Sequence, residues 1–484
     1  MKQKSLTGWL AILAVAAYLG ACGNGTTDVS KFVPNDPETQ EPDGSIFLTL
    51  TSHKDAQVIT GSRTITLAGT VTSATEITAA TITATLNDGA PVTLDVEEGA
   101  FSVDLTLADR DNIIGIVLEF QGESYEATLS LNYPFLAFAN GQDAAVVIGQ
   151  PGFTTRDSNL SATGLRGPWG NPAVANDILY IPDLHNHRVL GYYGVPTTHG
   201  AAADFVLGQS DFTSDVSPLD RGGLSGPSSI FVQGETMALV DKHHNRLLIY
   251  HSLPTTTGAQ PDVVIGQGDF TSTDDACTAE VLDRPESVWL TEDKLFVADA
   301  GHNRVLVWDG IPTENGAPAD LVLGQATFEA CSGGGGANGL NWPSDVWSDG
   351  DRVVVVDFSN HRVLIWNTFP TTNGQAADVV LGQEDMDASG WSHTASSFEY
   401  PSFLAFNGNQ LFVGDCGRRV LIWDTLPEEN HAPADRVLGS PDFENPPGGT
   451  TQSSLRCGGG VHLHDNQLIV SDYDNRRVMI FEAP

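Results

Sequence analysis

The chain has 484 residues, of which 40% are apolar and 17% charged, and its 61 acidic against 23 basic side chains give a formal net charge of −38. This length exceeds that of one ordinary domain, and 50 glycines with 26 prolines are typical of turn-rich β structure. The electrostatic field of this negative net charge repels phosphate backbones, so the composition excludes nucleic acid as an expected partner. It favours a well-solvated acidic surface over a specific cation-binding role.

The first 22 residues combine two lysines with an apolar run from Trp9 to Tyr18 that is too short to span a bilayer. This pattern predicts an export signal. Residues 19–22, Leu-Gly-Ala-Cys, resemble the bacterial lipobox, in which the cysteine is lipidated and becomes the mature N-terminus. The resemblance implies lipidation at Cys22 and, because Gly23 is not the aspartate of inner-membrane retention, an anchor in the outer membrane or at the cell surface. The alternative is an ordinary secretory signal.

Two different segments follow the signal. Residues 23–44 are rich in Pro, Asp, Glu, Thr and Gly, which predicts a flexible acidic linker. Residues 45–132 alternate apolar and polar positions and carry hairpin signals at 87–89 and 97–99, which predicts a β-sandwich. By pattern this segment resembles the immunoglobulin-like (Ig-like) modules of bacterial surface proteins, which implies a spacer or, alternatively, a weak carbohydrate- or protein-binding module.

The rest of the chain is a repeat. An aspartate that ends one apolar run and opens a polar turn into an Arg-Val-Leu-led run recurs six times, in steps of 58, 58, 58, 58 and 57 residues. The arginine follows its aspartate by five residues in every copy except the fifth, where it follows by four. The pairs are Asp183 and Arg188, Asp241 and Arg246, Asp299 and Arg304, Asp357 and Arg362, Asp415 and Arg419, and Asp472 and Arg477.

Each copy predicts four antiparallel strands, the fourth written Ala-Asp-Val-Val-Leu-Gly-Gln or nearly so. The last copy ends after its third strand, and residues 140–150 align without a gap with 373–383, which include a fourth strand. We therefore predict an all-β chain with a six-bladed β-propeller over 140–484, closed by strand 144–150 against the last copy.

The repeated aspartate and Asn-Arg-Val-Leu turn resemble the NHL family of β-propellers over 140–484, least closely in the fifth copy. The family includes protein- and RNA-binding platforms and a few lyases. One of these lyases holds zinc with inner-strand histidines, to which only His462 and His464 correspond here, too few for that ligand set.

Each Asp and Arg pair is interpreted as a structural bracket that holds its turn, with a ring of ligand-facing charges as the alternative. The turns share a face with 18-residue connections from each fourth strand to the next first strand, which is long for a compact domain. Candidate binding residues are His187, His244, His302, His361 and Arg418 on this rim, with His462 and His464 in the last inner strand.

A zinc site needs three or four ligands within about 2.1 Å of one ion, and blade-to-blade separation argues against it. We expect no metal site and no cofactor, and calcium at the acidic stretch 273–276 is left open. The sequence also predicts two disulfides, Cys277 with Cys331 and Cys416 with Cys457, with free thiols as the alternative.

No phosphate-binding loop, nucleophile elbow or metalloprotease helix is present in the sequence, so we assign no catalytic residue. The expected function is that of a monomeric, lipid-anchored extracytoplasmic protein whose propeller is an interaction platform for a protein, peptide or glycan. The alternatives are a lyase or hydrolase that acts on an extracellular polymer or peptide, and a purely structural envelope component.

Overall fold

The computed structural model describes residues 46–54, 57–59, 64–73, 81–87, 89–94, 96, 99–108, 110–120 and 123–484. The chain divides into two compact units, Met1–Tyr133 and Pro134–Pro484. The signal segment with Cys22 and the linker 23–44 lie outside the described residues. In the described ranges the secondary structure consists of strands and five single-turn 3₁₀ helices, which confirms the all-β prediction. None of those helices is long and apolar enough to cross a membrane.

The first unit contains two sheets. Its strands are β1 (Ile46–Leu50), β2 (Gln57–Val58), β3 (Thr64–Ser73), β4 (Thr81–Leu86), β5 (Val92–Leu94), β6 (Ala100–Thr106), β7 (Arg110–Phe120) and β8 (Glu123–Tyr133). One sheet has the order β1-β3-β6 and the other β2-β8-β7-β4-β5. Alternate residues are buried, as Phe101 and Leu105 are in β6, because successive side chains of a strand point to opposite faces.

The hairpin signal at 97–99 was misleading. Strand β5 pairs with β4, whereas β6 pairs with β3 in the other sheet, so the chain crosses between sheets here. The signal at 87–89 does join a pair of adjacent antiparallel strands, β4 and β5. A turn residue fixes the local backbone bend, but the choice of partner strand depends on which sheet buries the following apolar face.

The second unit contains six four-stranded antiparallel sheets, which we call blades 1 to 6, and its first strand, β9 (Val146–Ile148), belongs to the last of them. Blade 1 consists of β10 (Ala173–Ala175), β11 (Ile178–Asp183), β12 (Arg188–Tyr193) and β13 (Phe205–Leu207). Blade 2 consists of β14 (Pro227–Gln233), β15 (Thr236–Asp241), β16 (Arg246–Tyr250) and β17 (Val263–Ile265). Blade 3 consists of β18 (Ser287–Leu290), β19 (Lys294–Asp299), β20 (Arg304–Asp309) and β21 (Leu321–Leu323).

The remaining blades follow the same order. Blade 4 consists of β22 (Pro343–Ser348), β23 (Val353–Asp357), β24 (Arg362–Trp366) and β25 (Val379–Leu381). Blade 5 consists of β26 (Pro401–Phe406), β27 (Leu411–Asp415), β28 (Arg419–Trp423) and β29 (Arg436–Leu438). Blade 6 consists of β30 (Gly458–His464), β31 (Gln467–Asp472) and β32 (Arg477–Glu482), with β9 as its fourth strand. The 3₁₀ turns are Leu184–Asn186, Lys242–His244, Ala300–His302, Phe358–Asn360 and Tyr473–Asn475.

The sheets form a closed ring. Strand β9 pairs antiparallel with β32, with Val146 opposite Ile480 and Ile148 opposite Val478. Blade 6 also meets blade 1, because the Gly460 amide donates to the Trp169 carbonyl at 2.8 Å. Such a ring of radially arranged four-stranded sheets is a β-propeller.

The apolar core lies between neighbouring blades rather than within one. One buried cluster joins blades 2 and 3 through side chains such as Leu247 and Val297, and another joins blades 6 and 1 through side chains such as Ile480 and Leu190. Both faces of each sheet are apolar, so one blade alone would expose at least one of them to water. Closure of the ring therefore covers every blade on both sides.

The Gly-Gln dipeptide that follows the fourth strand in every blade except blade 5, which has Gly439-Ser440, has a local cause. Gly266 has φ +84°, and a Cβ there would lie 2.5 Å from the Leu282 side chain, so only glycine fits. The following Gln267 donates from Nε2 to the carbonyls of Asn245 at 2.9 Å and Asp274 at 2.8 Å. This amide fastens the start of the long connection to the turn of the same blade.

Candidate functional site

The Asp and Arg pair of each turn is buried inside its blade. In blade 3, Nε of Arg304 donates to Oδ2 of Asp299 at 2.8 Å, and both side chains have 0% exposure. Its Nη2 donates to the carbonyls of Thr278 at 2.7 Å and Val281 at 2.9 Å, and its Nη1 donates to the Phe328 carbonyl. The guanidinium thus joins its turn to the connections that enter and leave the blade.

The other five pairs repeat this arrangement, with Nε to Oδ2 distances of 2.8 to 3.0 Å; they are Asp183–Arg188, Asp241–Arg246, Asp357–Arg362, Asp415–Arg419 and Asp472–Arg477. All of these side chains are at most 1% exposed. Charges enclosed in this way are not available to a ligand in solution.

Two of the candidate histidines belong to the same brackets. His244 Nδ1 lies 2.9 Å from Oδ2 of Asp241, and His302 Nδ1 lies 2.9 Å from Oδ2 of Asp299. Burial disfavours a charged imidazole at His302, but its bonds to Asp299 and to the Asp275 carbonyl outweigh burial and raise its pKa above the ordinary value. In three other blades an asparagine takes the place of this histidine and donates its side-chain amide to the bracket aspartate; these are Asn186, Asn360 and Asn475.

The next residue of each turn has a left-handed backbone and faces the following blade. His187, with φ +51°, accepts at Nδ1 a bond from the Gly226 amide at 3.1 Å. Nδ1 of His361 lies against the Glu399 carbonyl. Arg418, with φ +73°, is exposed instead and makes only a 3.5 Å contact with a carbonyl of the next connection. Of these three candidates, Arg418 alone is directed into solvent.

His462 and His464 lie at the opposite end of the propeller from the turns, in the second half of β30. His462 Nε2 accepts a bond from the Val174 amide at 3.2 Å, and burial lowers its pKa to about 4. His464 is partly exposed beside Asp465 at 3.6 Å. The structure therefore does not bring these two together with the histidines of the turns.

The cysteines form the two expected bonds. Cys277 is joined to Cys331 and Cys416 to Cys457, which confirms the prediction of two disulfides. Disulfides persist in oxidising compartments, so they indicate an extracytoplasmic location. In the described residues no group of three or more His, Cys, Asp or Glu side chains is placed to hold a metal ion.

One feature of the turn face that differs between blades is a buried carboxylate near the axis of the ring, and we call this end of the axis the mouth of the channel. Glu286, immediately before β18, is 1% exposed and accepts the indole N–H of Trp169 at 3.0 Å and of Trp342 at 3.2 Å. The ammonium of Lys242 donates to the same carboxylate. These four residues come from blades 1, 2, 3 and 4, and we call them the mouth cluster.

Trp169 places an aromatic surface at the centre of the ring. Its ring lies 5.5 Å from that of Phe403, 5.1 Å from Tyr473 and 6.4 Å from Phe358, all edge to face. Phe358 stacks in turn on Tyr400 at 5.1 Å. Side chains from blades 1, 4, 5 and 6 thus meet in one aromatic group beside Glu286, where face and edge contacts fix the ring orientations.

A second carboxylate lies beneath this aromatic group. Asp345 Oδ2 accepts bonds from the Asn171 side-chain amide at 2.9 Å and from the Leu404 amide at 2.8 Å. Asn171 belongs to blade 1 and Asp345 to blade 4, three blades apart in the ring, so their bond crosses the channel. Burial raises the pKa of Asp345 to about 6.

Two residues at the mouth have backbone conformations that side chains disfavour. Arg284 has φ +44° and Trp342 φ +56°, at the position where blade 2 uses Gly226 with φ +65°. The Arg284 guanidinium lies over the Trp342 ring, 4.9 Å from its centroid. Left-handed conformations at residues with side chains are found at binding and catalytic sites more often than elsewhere, because the surrounding structure must maintain them.

The mouth cluster was not predicted from the sequence, although the repeat contained a signal for it. At intervals of 58 residues, Glu286 takes the place of Ser228, Ser344 and Ser402. Trp169 likewise stands where the next four blades have proline. A position-by-position comparison of the copies would have singled out both residues as departures from the repeat.

No protein-family model and no curated protein matches this chain. Solved structures similar to it include a putative glucose dehydrogenase from Thermus thermophilus, at 15% identity over 67% of this chain and 99% of that chain, with a TM-score of 0.39. The PQQ-bound aldose sugar dehydrogenase of Streptomyces coelicolor has 15% identity over 67% and 96%, with a TM-score of 0.38. The designed protein Ika8 has 11% identity over 70% and 100%, with a TM-score of 0.36. At such low similarity, the fold is defined by the strand pairing of the chain itself.

Proposed function

We propose that this chain is a lipid-anchored extracytoplasmic protein whose propeller binds a protein, peptide or glycan on the face that carries the turns and long connections. The observation that carries the proposal is the mouth cluster. The repeated charges and most of the turn histidines hold the blades together, whereas Glu286, Trp169, Trp342 and Lys242 differ from blade to blade and meet at one point. Residues that break the symmetry of a repeated scaffold are where a specific site is expected.

Exposed apolar side chains support the same face. Within 134–484 the large apolar side chains that are well exposed are Tyr193 (60%), Val216 (62%), Trp391 (56%) and Tyr400 (39%). All except Tyr193 lie on the long connections. Exposed aromatic side chains are enriched at protein-binding surfaces, because they bury a large area with little loss of rotamer freedom.

The test is ligand binding by the full-length protein, presented to arrays of peptides and of glycans. We expect at least one ligand class to bind, and the variants Trp391→Ala and Tyr400→Ala to weaken that binding about tenfold or more, as at other interface anchors. The matched control is Tyr193→Ala, which removes an equally exposed aromatic ring outside the long connections. Loss of binding in the control variant but not in the other two would show that a different surface binds the ligand.

The lipid anchor is tested separately. Metabolic labelling with a radioactive fatty acid should label the full chain and not the variant Cys22→Ser, which should leave the membrane fraction. An unlabelled wild-type chain recovered in the soluble fraction would refute the anchor. We further propose that the blades are of NHL type and that the first unit is an Ig-like spacer between the anchor and the propeller.

The alternative of a lyase or hydrolase is not favoured by the geometry at the mouth. A general base needs a carboxylate oxygen that can reach a substrate proton. Both oxygens of Glu286 accept bonds from protein donors, and those of Asp345 do so as well. The arrangement is that of carboxylates that fix the orientation of neighbouring side chains.

A further inference from the structure

Cationic side chains gather at the mouth on blades 1 to 3, in a chain whose net charge is −38. Arg166, His185, His243 and Arg284 are exposed there, and the Lys242 side chain, whose ammonium donates to Glu286, has 15% exposure. Arg166 Nη1 lies 3.5 Å from the His185 carbonyl, which places the two side chains on one side of the mouth. We call these five residues the basic arc.

Two carboxylates beside the arc already have partners in it. Glu286 has a side chain only 2% exposed and is held by Lys242 and two indoles. Asp283 is paired with Arg284 at 3.2 Å, and the Arg284 side chain remains 51% exposed. The exposed carboxylate of Asp474 follows Tyr473, whose hydroxyl lies 2.7 Å from Nε2 of His185, so we expect a ligand's carboxylate at the guanidinium groups of Arg166 and Arg284.

The pKa values of the two imidazoles in the basic arc are lowered by burial and by the neighbouring positive charges. The His185 ring keeps an exposed edge, but its partial burial lowers its pKa below the ordinary value, and the neighbouring Arg166 charge lowers it further. Burial lowers the pKa of His243 as well, and Lys242 adds to that effect. Arg166 and Lys242 are thus close enough to these imidazoles to disfavour an additional positive charge on them, and the same charges attract an anion.

Aromatic surfaces lie directly beside the arc. Trp169 shares Glu286 with Lys242, and the Phe358 and Tyr400 pair continues from Trp169 towards solvent, with Tyr400 39% exposed. Trp342 carries Arg284 on its ring in a left-handed backbone segment. Amphipathic rings next to cationic donors suit a ligand that has an apolar face and carries carboxylates.

We propose that the mouth binds an acidic oligosaccharide, whose carboxylates contact the basic arc and whose sugar rings stack on the exposed aromatic side chains. The inference rests on the proposed binding function and names its ligand class. A single-stranded nucleic acid would also use cations with aromatic rings. The net charge of the whole protein opposes its many phosphates, whereas a short saccharide with a few carboxylates feels only the local field.

The experiment measures Kd for the full-length protein with tetragalacturonate, with the same oligosaccharide fully methyl-esterified, and with an oligouridylate. We expect the acid to bind at least about tenfold more tightly than the neutral ester, since charge-assisted hydrogen bonds are the stronger ones, and its binding to weaken as salt is added. Arg166→Ala and Arg284→Ala should each weaken binding of the acid about tenfold. The matched control is Lys294→Ala, at the end of blade 3 away from the turn, which should not change the Kd.

Three results would contradict the proposed ligand class. Equal binding of acid and ester, equal loss in the Lys294 variant, or tighter binding of the oligouridylate would overturn the inference. If no saccharide binds but a peptide on the array does, with dependence on Trp391 and Tyr400, the inference fails and the proposed function stands. If neither saccharides nor peptides bind, both fail.

Discussion

Replacement of Arg304 by methionine tests whether the repeated brackets stabilise the propeller. The variant keeps an unbranched side chain of similar length and removes the guanidinium, which is 0% exposed. Asp299 is left buried with bonds only from the His302 ring and the Asp283 amide, at 2.9 and 2.8 Å. Three carbonyls on two connections lose their donors at the same time.

The expected decrease in the free energy of unfolding can be estimated from these contacts. Removing one partner of a buried ion pair costs about 3 to 5 kcal/mol, because the other charge stays buried without compensation. The carbonyls add about 1 kcal/mol each where water cannot replace the donor. Since water can reach part of the long connections, we expect a total loss of about 5 kcal/mol. In the double variant with Asp299→Asn the buried charge is gone, so the loss should fall to about 3 kcal/mol.

Tryptophan fluorescence during urea unfolding measures this loss in the propeller alone. Apart from Trp9 in the signal segment, every tryptophan lies between residues 169 and 423. The control is Arg156→Met, which removes an exposed arginine of a long connection and should change stability by less than about 0.5 kcal/mol. A loss below about 1 kcal/mol in Arg304→Met would refute the bracket role, since a buried guanidinium would then contribute no more than an exposed one.

Three further predictions concern the ring and its axis. Asp345 has a pKa of about 6 in the fold against an ordinary value of 3.8, so the folded state holds the proton more tightly. Stability should therefore fall by about 3 kcal/mol as pH rises from about 4 to 6.5, and Asp345→Asn should abolish this component in unfolding curves measured across that range. Gly170→Ala would put a Cβ 1.4 Å from a backbone oxygen of blade 2, and should lower the melting temperature strongly, whereas Gly268→Ala, with no atom within 4 Å, should not. Peptide mass mapping without reductant should recover Cys416 joined to Cys457, and free thiols at both positions would contradict the structure.

The period of the sequence specified much of the fold because each copy repeats the same local causes. The aspartate at 357, the arginine five residues later and the Gly-Gln at 382–383 are fixed by contacts within one blade or with its neighbour. The aspartate and arginine pairs could be found from spacing alone, since both partners lie in one turn.

The mouth could not be found in this way. Trp169 and Glu286 are 117 residues apart and meet only because the ring brings blades 1 and 3 to a common axis. Nor could the spacing show that His187 would face a neighbouring amide rather than solvent. A histidine in a turn suggests a ligand contact until the structure shows which donor or acceptor already occupies it.

The buried brackets and the proposed binding residues are different side chains of this propeller, so mutation should separate their effects on stability and on affinity. Arg304 and its five counterparts are enclosed and bonded to backbone carbonyls, so their loss should lower stability whatever the ligand is. Arg166 and Arg284 are exposed, and their loss should lower affinity with little change in stability. The bracket arginines occur in all six blades, whereas the pair of Trp169 and Glu286 occurs once. A ligand that binds at the mouth should therefore depend on the exposed residues there and not on the brackets.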